Sequence, residues 1–236
     1  MAKKEFPEKK LIKGKDDFSL KEPINLPGDF SAKLSGFSSK AFSVIKFILG
    51  IMLLPFVFST VSSFLNEFGL VNKDLQVVFW NGVISFLVVY LFIWEPAVIY
   101  SKGHKLLEIV FSFFKPMVSV APFLLPIYTI VFLVIYGLLS LGIRSSWLIE
   151  YALFLIGFAT ILHLTFSAKT IRSKKGDFLK GNYIFGFSFI LILNLVLLAF
   201  GFSLILKEFS FVNFCNVSFE IAKNIFRAVF KQLFLF

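Results

Sequence analysis

The sequence predicts an all-α polytopic membrane protein with five transmembrane helices and a C-terminal amphipathic helix. Of its 236 residues, 58% are hydrophobic and 16% are charged, and the mean hydropathy is +0.86. A water-soluble domain carries about 45–50% apolar and about 25% charged residues. Five apolar runs are long enough to cross a hydrocarbon core about 30 Å thick, and basic residues are concentrated between these runs. Lipid is therefore the expected solvent for most of the chain.

The five spans are expected at about residues 44–65, 77–100, 117–141, 147–168 and 183–206, within a transmembrane domain of residues 41–206. Pro55 in the first span and Pro122 and Pro126 in the third predict kinks, because proline lacks the N–H of a regular helix. The apolar segment 106–114 is too short to cross the bilayer. We expect it to form an interfacial or half-buried helix on the cytoplasmic side.

The distribution of basic residues predicts the orientation of the chain. Residues 1–40 are polar and basic, as in a disordered cytoplasmic tail. The tail, the entry to the first span and two further loops hold 18 Lys and Arg residues, against six in all remaining segments. The positive-inside rule then places the N-terminus in the cytoplasm and the C-terminus outside, in what we expect to be a prokaryotic inner membrane.

The net charge of +10 comes from residues in the tail and loops rather than from a basic stripe on a folded domain. This indicates contact with anionic lipid of the inner leaflet and not with nucleic acid. A compact basic cluster follows the fourth span, at Lys169, Arg172, Lys174 and Lys175. It is interpreted either as a determinant of topology or as a set of lipid-headgroup contacts.

Residues 207–236 are expected to form an extracytoplasmic amphipathic helix. From Phe219 onward, apolar residues recur in steps of three and four, and Lys and Arg occupy the other face. The apolar stripe consists of Phe219, Ala222, Phe226, Val229, Leu233 and Phe236. Such a helix lies on the outer leaflet or packs on its own bundle, or its stripe forms the interface with a partner protein or a second copy.

Four polar residues in or near the spans are candidate functional groups: Asn194, His163, Glu95 and Glu150. Asn194 could contact a ligand and His163 could relay protons, or both could form interhelical hydrogen bonds. Glu95 and Glu150 are predicted at opposite faces of the membrane. They are therefore not expected to act as one acid/base pair, whose members must reach the same substrate.

No catalytic motif is evident in the sequence. Nucleophile-elbow, zinc-protease and phosphate-binding-loop patterns are absent. One cysteine and two histidines, which are expected to lie far apart, cannot supply the four ligands of a structural zinc site. We therefore expect neither an enzyme nor a cofactor or metal site. The expected function is that of a scaffold, assembly factor or subunit of a larger membrane complex. The alternative is a small permease or channel whose path runs near Asn194 and His163.

The layout also resembles the Yip family of Rab-interacting membrane proteins and its prokaryotic relatives. The resemblance extends from Gly103 to Phe202. It includes the proline-bearing third span (VSVAPFLLP), a closely connected fourth span and a basic loop with Gly176 and Gly181. This resemblance implies a five-span scaffold of the membrane-organising or trafficking type, without catalytic residues.

Overall fold

The computed structural model describes residues 28–143, 145–173 and 183–234. These residues form helices and turns, with no strand among them. The chain divides into two units, Met1–Ser39 and Lys40–Phe236. In the first unit, the described residues are the beginning of helix α1. All packing discussed below lies within the second unit.

Within the described ranges there are eight α-helices, with the bounds α1 Gly28–Phe68, α2 Lys73–Val88, α3 Ala97–Val110, α4 Lys115–Leu124, α5 Ile127–Gly142, α6 Ser146–Ser173, α7 Tyr183–Ile205 and α8 Phe211–Phe234. A π-helical turn, Val89–Ile93, extends α2. Four helical segments of the described chain are long and apolar enough to cross a membrane: Val44–Phe68, Lys73–Ile93, Ser146–Arg172 and Tyr183–Ile205. Helix α5 is apolar but shorter.

Three element boundaries differ from the sequence-based expectation. Helix α1 begins at Gly28, inside the segment expected to be a disordered tail, because the apolar run from residue 42 supports a helix that propagates toward the N-terminus. Residues 1–27 of that tail lie outside the described residues. The second span ends at Ile93 rather than at residue 100, because Pro96 interrupts the helix. The predicted interfacial segment 106–114 is the end of α3 and the turn after it.

The third predicted span consists of two helices. Helix α4 contains Pro122 and ends at Leu124, and α5 starts at Ile127 directly after Pro126. The expected kink is thus a full interruption of hydrogen bonding. Because α4 and α5 together pack along α6 and α7, the break lies inside the bundle.

Glycines allow α2 and α6 to pack in close contact. A Cβ atom at Gly82 would lie 2.1 Å from the carbonyl oxygen of Phe154, and one at Gly157 would lie 2.4 Å from that of Phe79. Such distances are far below van der Waals contact. Small residues let helix backbones approach closely in membranes, where packing rather than the hydrophobic effect drives association.

A cluster of phenylalanine rings joins the end of α1 to α2 and α7. Phe202 of α7 lies with its ring centroid 5.4 Å from those of Phe68 and Phe79, and 5.9 Å from that of Phe64. Phe209, in the loop before α8, adds a further ring 5.8 Å from that of Phe64. These rings are buried. Part of the phenylalanine excess therefore serves core packing.

Candidate functional site

The interruption between α4 and α5 leaves carbonyl groups without their usual helical donors. The N–H of Ile127 donates to the carbonyl of Leu125 at 2.9 Å, instead of to the carbonyl of Phe123 four residues earlier. The carbonyl of Leu124 likewise lies at the end of α4. A backbone polar group without a partner costs several kcal/mol in hydrocarbon, so these two oxygens need donors from other helices.

His163 and Ser167 of α6 supply donors to the first of these carbonyls. His163 Nε2 lies 3.1 Å from the Phe123 oxygen, and Ser167 Oγ lies 3.4 Å from the same atom. Tyr100 of α3 continues the network, because its hydroxyl oxygen lies 3.3 Å from Ser167 Oγ. His163 and Ser167 are one helical turn apart and both are buried. The network therefore connects α3, α4 and α6 around the carbonyl of Phe123.

Asn194 of α7 supplies the donor to the second carbonyl. Its Nδ2 donates to the oxygen of Leu124 at 3.1 Å and to that of Ile190, within α7, at 2.8 Å. The side chain is 1% exposed, and its Oδ1 has no hydrogen-bond partner among the described residues. Nearby, Thr129 of α5 and Thr160 of α6 form a buried hydroxyl contact at 3.1 Å.

The two polar candidates from the sequence, His163 and Asn194, thus meet adjacent carbonyls of the same interrupted helix. The hydrogen bonds of these two side chains go to backbone carbonyls or to a hydroxyl. The ring of Tyr100 lies 6.1 Å from that of His163 and 5.9 Å from that of His104, so the two histidines are closer than the sequence indicates. The part of the chain that the structure describes contains no group of three or more His, Cys, Asp or Glu residues placed to hold a metal ion. These hydrogen bonds connect α4–α5 to α6 and α7.

The two candidate carboxylates are far apart. Glu95 lies in the turn before α3 and forms an ion pair with Lys169, near the end of α6. Glu150 is exposed in the first turn of the same helix. Lys169 lies nineteen positions after Glu150 in this helix, which corresponds to about 28 Å. The structure does not bring these carboxylates to one site.

The basic cluster after the fourth span is partly described. Lys169 forms an ion pair with Glu95, and both side chains stay about half exposed. Arg172 is exposed in the last turn of α6. Lys174 and Lys175 lie outside the described residues.

Helix α8 packs on α1 through a face that differs from the predicted apolar stripe. The more buried side chains are Phe214, Val217, Ser218, Ile221, Ala222, Ile225 and Phe226. Of the predicted stripe, Ala222 is buried and the ring of Phe226 lies 5.4 Å from that of Phe56. Phe219, Val229 and Leu233 are exposed, and Phe236 lies outside the described residues. The predicted stripe is therefore divided between an internal contact and the surface.

A line of polar contacts between α1 and α8, the polar seam, was not predicted from the sequence. Ser63 Oγ donates to the carbonyl of Phe214 at 2.7 Å. The buried carboxylate of Glu67 accepts from the backbone N–H of Ser210 at 3.3 Å and from the side chain of Asn213. A carboxylate is favourable at the N-terminus of a helix. Residues Ser59, Ser63 and Glu67 follow one another in steps of four within an apolar helix, and this pattern could have predicted the seam.

Comparisons with protein-family models, with curated proteins and with solved structures give no significant match. The resemblance to the Yip family therefore stays a prediction from the sequence.

Proposed function

We propose that this chain is a non-enzymatic integral membrane protein that works by contact, as a scaffold, assembly factor or subunit of a larger membrane complex. In this proposal the five spans expected from the sequence correspond to α1, α2 with its π-helical turn, α4–α5, α6 and α7, and the N-terminus is cytoplasmic. The observation that carries the proposal is the outward face of α8, meaning the side turned away from α1. The Yip resemblance implies the same class of function.

The outward face of α8 combines positive charge with exposed aromatic side chains. Glu220 and Lys223 form an ion pair at 2.8 Å, so their charges largely cancel. Arg227 and Lys231 are exposed and form no ion pair within the described residues. Phe230, between them, is 60% exposed. Aromatic residues and Arg are the types enriched in the energetically important parts of protein interfaces.

This chemistry favours a membrane-protein partner that presents carboxylates. The full chain carries a net charge of +10, so a second copy would bring like charges together, whereas an acidic partner would neutralise Arg227 and Lys231. Complementary charges also suppress binding of wrong partners. The exposed Phe219, Val229 and Leu233, which belong to the predicted interface, supply apolar area on the same helix.

The proposal is tested by purification from native membranes into nanodiscs, with quantitative mass analysis of every co-purifying protein. The variant Arg227→Glu with Lys231→Glu is compared with Lys73→Glu and Lys207→Glu, which makes the same change in charge at exposed positions outside α8. We expect a partner at fixed stoichiometry that falls at least tenfold in the α8 variant and is retained in the control. A chain that purifies alone, or a partner or homo-oligomer that is equally retained in both variants, would overturn the proposal.

A permease or channel with a path near Asn194 and His163 is the second candidate. It is favoured by the buried Asn194 Oδ1, which lacks a partner among the described residues, and by the helix interruption beside it. Discontinuous helices form the binding sites of many transporters. The test is solute flux into liposomes: loss of flux in Asn194→Leu at unchanged thermal stability supports transport, whereas loss of stability alone indicates a packing role.

A further inference from the structure

The register between α1 and α8 shows that the two helices run antiparallel. Ser63 Oγ contacts the carbonyl of Phe214, and Ser59 Oγ lies 3.4 Å from Ser218 Oγ. A step of four residues toward the N-terminus of α1 therefore corresponds to a step of four residues toward the C-terminus of α8. Glu67, four residues beyond Ser63, meets the start of α8. Small polar residues at such spacing allow close packing of two helices in a membrane.

The contact continues to the middle of the first candidate span. The rings of Phe56 and Phe226 lie 5.4 Å apart. Helical side chains point toward the N-terminus of their own helix, so in an antiparallel pair these two rings approach each other along the axis. Contact from Glu67 to Phe56 covers about 16 Å of the helix axis. This distance is about half of a hydrocarbon core. Helix α8 thus lies along a candidate span and not across its end.

The length of α8 and one flank of its surface fit a crossing of the bilayer. Its 24 residues match the 23 of α7, the candidate span that precedes it, and correspond to about 36 Å of helix. Residues 206–210 connect the two helices. Exposed apolar side chains occur along the whole length of α8, at Val212, Phe219, Phe230 and Phe234. Lipid can solvate this flank.

The two basic residues near the end of α8 also fit a crossing. Continuing the register places Lys231 at the level of Lys46 and Arg227 at the level of Gly50. Residues 47–65 of α1 contain no charge, so Lys231 lies at the boundary of that apolar run and Arg227 one turn inside it. Long basic side chains near a helix end extend to the interface. Glu220 and Lys223 lie deeper, but they form an ion pair.

We infer that α8 crosses the membrane beside α1 as a sixth helix. The end of α8 then lies on the same side of the membrane as Lys46, opposite to the extracytoplasmic position expected from the sequence. It adds Arg227 and Lys231 to the side that already holds most of the basic residues, in agreement with the positive-inside rule. This inference rests on the α1–α8 contacts and on the length and residue pattern of α8, and it does not depend on the proposed function.

The test uses single cysteines placed in loops or at termini, so that the fold of α8 is not altered. Cys215 is the one cysteine of the sequence and is replaced by serine. Single cysteines are then introduced by Lys3→Cys, by Lys207→Cys and by addition after Phe236. Intact cells are treated with a membrane-impermeant maleimide before and after permeabilisation, and total labelling in denaturant normalises each value.

We expect the cysteine at position 207 to be labelled from one face, and those at position 3 and after Phe236 from the opposite face. Labelling at position 207 and after Phe236 from the same face would place α8 at the surface and overturn the inference. A second measurement is disulfide formation between Ser59→Cys and Ser218→Cys in the native membrane. Failure of this pair to cross-link under oxidation would contradict the register. Neither readout depends on a partner, so failure here is distinguishable from failure of the proposed function.

Discussion

Polar side chains are buried around the interrupted helix α4–α5, whereas they are exposed on the outward face of α8. At the interruption, the carbonyls of Phe123 and Leu124 accept hydrogen bonds from His163 and Asn194, so these polar side chains bond to backbone inside the bundle. On α8, Arg227 and Lys231 are exposed and form no ion pair within the described residues. The contrast teaches that polar side chains at the first region connect helices, whereas those at the second stay on the surface, where we propose that a partner binds.

The largest effect is expected at the close contact between α2 and α6, the helix that also carries His163 and Ser167. Gly82→Leu is expected to destabilise the protein by about 3 kcal/mol or more, because its side chain would overlap the backbone of Phe154. Thermal unfolding in one detergent measures the effect. Gly137→Leu is the matched control, since nothing lies within 4 Å of a Cβ at Gly137. Equal stability of the two variants would contradict the close packing of α2 on α6.

The second test concerns the carbonyls at the interruption. Asn194→Leu and His163→Leu are each expected to reduce the free energy of unfolding by about 1–3 kcal/mol, because a buried carbonyl loses a donor. Asn224→Leu, at an exposed position of α8, is the control and should change stability by less than about 0.5 kcal/mol. If Asn194→Leu proved as neutral as the control, the connection between α4 and α7 would be wrong.

Local sequence signals predict the helical class and the distortion at Pro122 and Pro126, because proline lacks an N–H wherever it occurs. They do not reveal the interruption at Pro96, since the apolar run indicates a second span that continues to residue 100. Pro55, where a kink is also expected, lies inside the continuous helix α1. The face of α8 that packs could not be predicted in the same way. The apolar stripe that begins at Phe219 is regular, but α8 packs on α1 through its polar residues Ser59, Ser63 and Glu67. These contacts bury a neighbouring face of α8, centred on Ser218 and Ala222. A choice between two faces of one helix depends on tertiary contacts.

A third test concerns the contact between α1 and the inward face of α8. Glu67→Ala removes the acceptor of Ser210 and Asn213 and is expected to cost about 1.5–3 kcal/mol, the range for hydrogen bonds to a charged group. Hydrogen exchange should accelerate in the first turns of α8. Glu208→Ala, at an exposed loop position, should leave exchange unchanged. Unaltered protection of α8 in Glu67→Ala would argue against this anchor.

The smallest effect is expected at the ion pair between Lys169 and Glu95. Both side chains are about half exposed, so Lys169→Ala should change stability by less than about 1 kcal/mol. Lys105→Ala, another exposed lysine, is the reference in the same unfolding experiment. A loss of stability several times larger than that of the reference would show that this ion pair contributes to the packing of the bundle.

The most direct test of function by contact is site-specific photo-cross-linking in native membranes. A photoreactive residue is placed at Phe219 or Phe230, which are exposed on α8, and at Phe214 or Ala222, which pack against the bundle. We predict intermolecular adducts of defined mass from the two exposed positions and none from the two buried positions. Monomer alone at all four positions, or equal adducts from exposed and buried positions, would contradict the central claim that the outward face of α8 is where this protein binds its partner.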